Sequence, residues 1–176
     1  KIGRHKVLIW SAGCSTGEEP YTLAMVLSEF AKACPGFSFN ILATDISTTV
    51  LEKAQLGVYD IDKISALPLL LQRRYFIRGN DKNRFCARVI PEIRNNIQFR
   101  RLNLLDKEYR IRNQVDIIFC RNVFIYFNRV TQQSVIDKFI ERLRPGGYLF
   151  LGHTETLAGT KSGLFSVAPA VFRKQL

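Results

Sequence analysis

The first residues with chemical potential lie in WSAGCSTGEEPYTLA (residues 10–24), where two glycines and two adjacent carboxylates follow an apolar run. Gly13 and Gly17 allow the backbone to turn tightly and to approach a ligand closely. Their spacing matches neither G-x-G-x-x-G nor G-x-x-x-x-G-K-[ST], and no lysine follows Gly17. A nucleotide phosphate bound here would meet Glu18 without a neighbouring cation. The loop is therefore poorly suited to ATP or to the pyrophosphate of NAD.

A ligand that carries positive groups reverses this argument. S-adenosylmethionine has an ammonium, a sulfonium and no phosphate, so a carboxylate near the loop attracts it. Alternatively, Glu18 and Glu19 complement the dipole of a helix in its first turn. We expect the dipole role for one acid of the pair and predict that Glu18, which is nearer the loop, faces the ligand.

Another acid, Asp45, ends the second apolar run of the chain. In folds that bind dinucleotides, an acid at this place hydrogen-bonds a ribose diol. A carboxylate suits a cis-diol because it accepts two hydroxyl donors at once. Alternatively, Asp45 caps the helix that follows, although Ser47 is already placed for that role.

Asn103 and Leu104 follow a later apolar run and lie close to Asp106. An asparagine side chain together with a neighbouring backbone amide can read the hydrogen-bonding edge of an adenine. The pair is therefore a candidate site for the adenine of a nucleoside-containing ligand.

The stretch CRNVFIYF follows another buried run and places polar residues between apolar ones. We predict that Arg121, Asn122 and Tyr126 face a cleft, whereas Ile125 and Phe127 pack inside. For Tyr126 the alternative is a buried aromatic ring whose hydroxyl is satisfied within the protein.

The elements that would position these residues alternate between apolar strands and amphipathic helices. The strands are predicted at 6–10, 39–44, 97–102, 115–120 and 148–151, and the helices at 20–33, from Ser47 onward and at 131–143. Short connectors between them imply an α/β fold with a mostly parallel sheet and helices on both faces. Ligands bind such sheets where the strands end, so the polar segments above should converge.

One segment interrupts this alternation. RYFIRGNDKNRFCARVI (74–90) has a Gly-Asn-Asp-Lys turn between two β-rich arms, which predicts a hairpin. We place a small inserted antiparallel β subdomain at about 75–96. The tail SVAPAVFRK predicts one further strand, antiparallel to the others.

The charge of the chain indicates a polyanionic partner. Its 26 Lys and Arg residues exceed its 15 Asp and Glu residues, for a net charge of +11. Twelve of the basic residues and only four of the acidic ones lie between Arg73 and Arg112. Such a patch favours nucleic acid or an acidic protein surface. Alternatively, it is a solvated face without a partner.

Composition excludes several classes of protein. No apolar stretch approaches the roughly 18 residues that span a bilayer. The four cysteines form no C-x-x-C pair and there are only two histidines, so we expect reduced thiols and no metal site. The opening residues KIGRHK lead into a strand rather than a cleavable signal, and the missing initiator Met indicates a fragment or a processed chain.

These motifs together resemble the chemotaxis receptor methyltransferase (CheR) family. WSAGCSTGEEPYTLA, ATDIS, LEKAQLGVYD, CRNVFIYF and LRPGGYLFLGHTE occur in the family's order, with the inserted hairpin, over essentially the whole chain. The resemblance implies a Rossmann-like class I methyltransferase fold and a cytoplasmic enzyme. Such enzymes use S-adenosylmethionine to methylate glutamate side chains of chemoreceptors, giving glutamyl methyl esters and S-adenosylhomocysteine.

The resemblance also implies roles for individual residues. It places Tyr126 near the transferring methyl group, with Arg121 holding the approaching acid or the carboxylate of the cofactor. Gly13 joins the cofactor site through its close backbone approach. The side chains and backbone expected at the cofactor are those of Glu18, Asp45, Asn103, Leu104, Arg121 and Asn122.

Partners follow from the same resemblance. The acidic cytoplasmic helices of chemoreceptors satisfy the charge argument as well as nucleic acid does, and the β subdomain of the family can dock a peptide from the receptor's carboxyl end. The small basic helical domain and linker that precede the α/β domain in the family have no counterpart in these 176 residues. Part of the family's cofactor pocket is therefore expected to be missing.

Two other functions stay open. An RNA methyltransferase would use the basic cluster, although the [N/D]-P-P-[Y/F] tetrapeptide of amino-directed base methyltransferases is missing. A non-catalytic signalling module would bind the cofactor without turnover. If the basic cluster binds RNA, that binding should weaken steeply as the salt concentration rises.

Overall fold

The computed structural model of the chain describes residues 6–79, 85–153, 155, 157 and 163–176. The strands in chain order are β1 Lys6–Ala12, β2 Ser38–Asp45, β3 Val58–Asp60, β4 Phe76–Arg78, β5 Cys86–Val89, β6 Ile97–Arg101, β7 Val115–Cys120, β8 Leu143–Leu151, β9 Leu164–Ala168 and β10 Val171–Lys174. The helices are α1 Glu18–Ala33, α2 Thr48–Leu56, α3 Ile61–Ile64, α4 Leu69–Tyr75, α5 Pro91–Arg94 and α6 Arg129–Arg142, with a 3₁₀ turn at Phe124–Tyr126.

Seven strands form the main sheet in the order β6-β2-β1-β7-β8-β10-β9. The first five of these strands are parallel to one another. Strand β10 is antiparallel to both β8 and β9. The mostly parallel α/β fold is thus confirmed. The tail, predicted as one further antiparallel strand, instead forms parts of two strands, β9 and β10, which pair antiparallel to each other. Strand β1 has β2 on one side and β7 on the other, so the order in which strands are added to the sheet reverses at β1. At such a switch point a crevice opens at the carboxyl ends of the strands.

The alternation of side chains along β1 gives each face of the sheet its own core. Ile9 packs with Tyr21 and Met25 of α1 on one face. Trp10 packs with Phe139 of α6 on the other face, at a ring centroid distance of 5.0 Å. These helices cover opposite faces because the side chains of adjacent strand residues point in opposite directions.

Local sequence explains where the two long helices begin. Gly17 precedes α1 with φ 94°, a left-handed conformation that glycine adopts without strain, so α1 begins two residues before the predicted Pro20. Asn128 accepts a hydrogen bond from the backbone N–H of Thr131 at 2.9 Å, which starts α6 at Arg129 rather than at residue 131.

The inserted subdomain is larger than the predicted 75–96. Its three-stranded antiparallel sheet has the order β3-β5-β4. It therefore includes β3, Val58–Asp60, which follows α2 and lies outside the predicted range. The arms of the predicted hairpin correspond to β4 and β5, while residues 80–84 of its turn lie outside the described residues. The subdomain packs against α1 through apolar side chains, among them Tyr75 and Val89.

Two broad expectations can be checked on this fold. All four cysteines are free thiols, as the scattered spacing predicted. Within the described ranges, the helices are all too short or too polar to cross a lipid bilayer.

Candidate functional site

The carboxyl ends of β1, β2, β6 and β7 surround a cleft of about 860 Å³. This volume is typical of pockets that hold a small molecule. The residues predicted from the sequence as site residues all line it, namely Gly13, Glu18, Asp45, Asn103, Leu104, Arg121, Asn122 and Tyr126. They come from four separate loops because parallel strands end at the same edge of the sheet.

The loop after β1 presents a backbone that is already hydrogen-bonded within the protein. The amides of Gly13 and Cys14 donate to one carbonyl oxygen of β2 at 2.8 and 2.9 Å, and the amide of Ser15 donates to Asp45 Oδ2 at 2.9 Å. A phosphate-binding loop needs such amides free to point at the ligand. The loop is therefore unsuited to phosphate for a second reason, beyond the acids that follow it.

Gly13 also brings the loop close to the opposite wall of the cleft. Its φ is 81°, and a Cβ added to it would lie 2.6 Å from Cγ2 of Val123. A larger residue here would both strain the backbone and push against the loop that follows β7.

Glu18 faces the cleft, but the expectation that it has no neighbouring cation is wrong, because Lys63 lies beside it and partly neutralises it. It accepts a hydrogen bond from Lys63 Nζ at 2.8 Å and bonds from the Thr16 hydroxyl at 2.7 and 2.8 Å. Burial opposes its ionisation, but the hydrogen bonds from Lys63 and Thr16 outweigh burial and lower the pKa of Glu18. Glu18 is therefore a carboxylate at neutral pH. Since the side chains of Glu18 and Lys63 are 45% and 60% exposed, the ion pair itself contributes little to stability.

Glu19 also lines the cleft, so both acids of the pair face it, and not Glu18 alone. The hydroxyl of Ser11 donates to Glu19 Oε1 at 2.8 Å, and Arg121 Nη1 lies 3.6 Å from Oε2. Burial raises the pKa of Glu19, and the hydrogen bond from Ser11 and the positive charge of Arg121 offset this only in part. Sequence reasoning underrated Glu19 because one of its partners, Arg121, lies at a distant position in the chain.

Asp45 lines the cleft, and its carboxylate also accepts hydrogen bonds from the backbone on either side of it. Its Oδ2 accepts the amide of Ser15 and its Oδ1 accepts the amide of Ser47 at 3.0 Å, which ties the start of α2 to the loop after β1. Ser47 itself caps α2 through the amide of Val50 at 3.5 Å. Each carboxylate oxygen of Asp45 keeps a second lone pair with which to accept a ligand hydroxyl.

The loop after β6 is held by two side chains that donate hydrogen bonds to its backbone. The hydroxyl of Tyr109 and the ammonium of Lys138 both donate to the carbonyl oxygen of Leu104, at 2.7 and 2.9 Å. Asn103 Oδ1 accepts the amide of Leu105 at 2.9 Å. The backbone at Asn103 and Leu104, which the sequence predicts to contact the ligand, is therefore held in place by hydrogen bonds within the protein.

The loop after β7 carries the remaining predicted residues, with one correction. Arg121, Asn122 and Tyr126 face the cleft as predicted, and Tyr126 is 79% exposed, so it is not a buried aromatic ring. The prediction that Ile125 packs inside is wrong, since Ile125 is 58% exposed and Phe124 is the buried neighbour. The reason is the 3₁₀ turn, which aims side chains with a period of three rather than two.

A carboxylate that sequence reasoning passed over, Glu155, lies behind this loop. It is 7% exposed and accepts backbone N–H bonds from the loops after β7 and β8. The spacing Gly-x-x-Glu after a buried strand was the available signal in the sequence. His153 is exposed.

The buried thiols near the cleft are poor nucleophiles. Burial, with a contribution from Asp45, raises the pKa of Cys14 to about 12, and burial raises the pKa of Cys120 well above its ordinary value. Thiolates carry cysteine chemistry, so covalent catalysis by these residues is disfavoured. Across the part of the chain that the structure describes, the side chains of His, Cys, Asp and Glu form no cluster suited to a metal ion.

Comparisons with known proteins agree with this geometry. The chain is 41% identical over 175 residues to Chemotaxis protein methyltransferase 2 of Pseudomonas aeruginosa, covering 98% of this chain and 61% of that protein. It is 43% identical over 150 residues to the Chemotaxis protein methyltransferase of Escherichia coli, covering 85% of this chain and 52% of that protein. The chain thus spans about half to three-fifths of the length of these curated relatives.

A solved structure supports the fold alone. The glycopeptide N-methyltransferase MtfA complexed with sinefungin matches with a TM-score of 0.52 at 10% identity, covering 92% of this chain and 49% of that one. A family model described as CheR methyltransferase, SAM binding domain, matches residues 1–172. The expected cofactor, S-adenosylmethionine, is therefore the cofactor of the matching domain. The chain belongs to the CheR methyltransferase family, of which it is a SAM-binding domain.

Proposed function

We propose that this chain binds S-adenosylmethionine in the cleft and directs methyl transfer to glutamate side chains of bacterial chemotaxis receptors. The products would be glutamyl methyl esters and S-adenosylhomocysteine. The observation that carries the proposal is the convergence of all eight predicted site residues on one cleft of about 860 Å³. A chain with this function would work in the cytoplasm, where receptor methylation helices are found.

The charges around the cleft suit a cationic, ribose-bearing ligand. Glu18, Glu19 and Asp45 line it, and among the described residues that line it Arg121 is the one cation. Asp45 would accept the ribose hydroxyls, while Asn103 and the Leu104 backbone would read the adenine. The Glu18 carboxylate lies at the loop, where it would attract the positive groups of the ligand.

When bound, the cofactor supplies an electrophilic methyl group on a sulfonium centre. An acceptor glutamate, with an ordinary pKa of about 4.3, is already a carboxylate at neutral pH. The chain therefore has no proton to remove and needs no general base. Its task is to align the two reactants, which can contribute roughly 7–11 kcal/mol.

Arg121 and Tyr126 are placed to orient the acceptor. The ion pair between Arg121 and Glu19 is long, at 3.6 Å, and the Arg121 side chain is 44% exposed, so Arg121 can exchange this partner for an incoming carboxylate at small cost. Tyr126 presents its exposed hydroxyl at the mouth of the cleft. A partly dehydrated site favours this transfer, because opposite charges cancel as the methyl group moves.

The β subdomain offers a place for the receptor's carboxyl-terminal peptide. Strand β4 lies at an edge of the three-stranded sheet, where an extended peptide can add as a further strand. Ile77 on this strand and Phe85 nearby expose apolar side chains. A receptor peptide labelled with a fluorophore should bind the chain, and Ile77→Lys should weaken that binding without changing cofactor affinity.

The test of the main proposal combines binding and transfer. Calorimetry should detect S-adenosylmethionine and S-adenosylhomocysteine, with no heat from ATP or NAD at the same concentrations. Tritium from labelled cofactor should then enter receptor-bearing membranes as base-labile methyl ester. Label found in RNA would replace the proposal with an RNA methyltransferase. Binding without transfer to any receptor membrane would leave a non-catalytic signalling module.

A further inference from the structure

Glu155 is a buried carboxylate whose hydrogen-bond partners among the described residues are backbone amides. The amides of Gly152, Phe124 and Asn122 donate to it at 2.6, 2.8 and 3.1 Å. A buried charge is costly unless several donors satisfy it, and hydrogen bonds to an ionised acceptor are the strong ones. Glu155 thus fills an anion-binding concavity formed by the main chain.

The position of this carboxylate joins two neighbouring strands. Cys120 at the end of β7 pairs with Leu151 at the end of β8, so the loops that follow them start side by side. The amide of Glu155 donates to the carbonyl oxygen of Gly152 at 2.9 Å, and this turn folds the side chain back over both strand ends. One side chain therefore holds both loops.

The loop after β7 needs such a support because its backbone is unusual. Asn122 has φ 60°, in the left-handed region that few residues other than glycine favour. Strain of this kind persists where the surroundings hold it in place. Two of the three backbone N–H groups that donate to Glu155 belong to this loop, those of Asn122 itself and Phe124.

We propose that Glu155 is a positioning residue for the reaction: its carboxylate holds the loop that carries Arg121, Asn122 and Tyr126 in the shape that receives cofactor and acceptor. Glu155 touches neither ligand and acts only through the backbone. The inference rests on the proposed function for its kinetic consequence. The loop is also held by Gln132, whose side-chain amide donates to the carbonyl oxygens of Phe124 and Phe127 at 3.0 Å. The structural consequence of the proposal, loss of order in the loop when the Glu155 carboxylate is removed, can be measured without any reaction.

The room around Glu155 gives two ways to disturb it. Glu155→Gln keeps the size of the side chain but removes its charge and turns an acceptor into a donor that faces an amide. Gly152→Ala keeps the carboxylate, but its Cβ would lie 2.7 Å from Glu155 Oε2 and 3.1 Å from the backbone nitrogen of Asn122, so it would crowd the contact between them. The control is Glu52→Gln, which removes the charge of an exposed glutamate on α2.

The first measurement is hydrogen–deuterium exchange of the folded chain. Both variants should lose protection in residues 121–127 and keep it in residues 13–19, which Glu155 does not touch. Loss of protection throughout the main sheet in both variants would overturn the proposal, because Glu155 would then be a general stabiliser. Unchanged exchange at 121–127 in both would overturn it as well.

The second measurement separates positioning from folding and from the proposed function. S-adenosylhomocysteine should bind Glu155→Gln about tenfold more weakly than it binds Glu52→Gln. The kcat for receptor methylation should fall while the KM for receptor stays constant. A wild-type chain that binds no S-adenosylhomocysteine would defeat the proposed function alone. A wild-type chain that binds it, with a Glu155→Gln variant of equal affinity and equal kcat, would defeat this inference alone.

Discussion

Replacing Asp45 by asparagine should weaken cofactor binding by a predictable amount. The carboxylate accepts the amides of Ser15 and Ser47, one on each oxygen, and each oxygen keeps a lone pair for a ribose hydroxyl. Asparagine turns one oxygen into an N–H donor, so one hydroxyl and one amide lose their acceptor. A hydrogen bond to a charged group is worth about 1.5–3 kcal/mol, which corresponds to a Kd about 10 to 150 times higher.

Calorimetry with S-adenosylhomocysteine measures this change directly. Glu52→Gln is the control for loss of one negative charge, and its Kd should equal that of the wild type. An analogue of the ligand without the ribose 2′-hydroxyl should bind the wild type and Asp45→Asn with nearly equal affinity. A Kd for Asp45→Asn within threefold of the wild type would refute the assignment of Asp45 to the ribose.

Three further variants test other parts of the account. Tyr126→Phe should lower kcat about tenfold at unchanged cofactor Kd, since one hydrogen bond to the reacting groups is lost; an unchanged kcat would remove Tyr126 from the reaction. Arg101→Glu reverses an exposed charge at the end of β6 and should lower kcat/KM for receptor about tenfold at low salt. Because an effect on association is screened by salt, the difference from wild type should disappear near about 0.5 M salt. Glu29→Gln should reduce the melting temperature at neutral pH, because hydrogen bonds from Arg74, Lys32 and Tyr75 lower the pKa of Glu29 to about 2. This stabilisation exists above the ordinary glutamate pKa and is lost as the pH falls toward 2, so the difference in melting temperature between Glu29→Gln and wild type should shrink on acidification.

The site could be predicted from the sequence because its residues follow buried strands. Apolar runs such as the one that ends at Cys120 identify a strand, and polar residues just after it must lie at the carboxyl edge. Parallel pairing then brings Asp45, Asn103 and Asn122 to the same cleft, although each belongs to a different loop. No contact had to be known in advance.

Features that depend on contacts with distant segments or with backbone groups could not be predicted in this way. The pairing of Val58–Asp60 with β5 joins a three-residue strand to a segment far along the chain, and so short a strand has no periodicity of its own. The role of Glu155 depends on backbone amides, which no pattern of side chains reveals. The error at Ile125 arose because an alternating pattern was assumed where the chain makes a 3₁₀ turn.

The most direct test of the central claim is a crystal structure of the chain with S-adenosylhomocysteine bound. The account predicts that the ribose hydroxyls lie within hydrogen-bond distance of the Asp45 carboxylate and that the amino group lies on the Glu18 and Glu19 side of the cleft. A ligand found outside this cleft, or one that leaves Asp45 bonded only to Ser15 and Ser47, would contradict it.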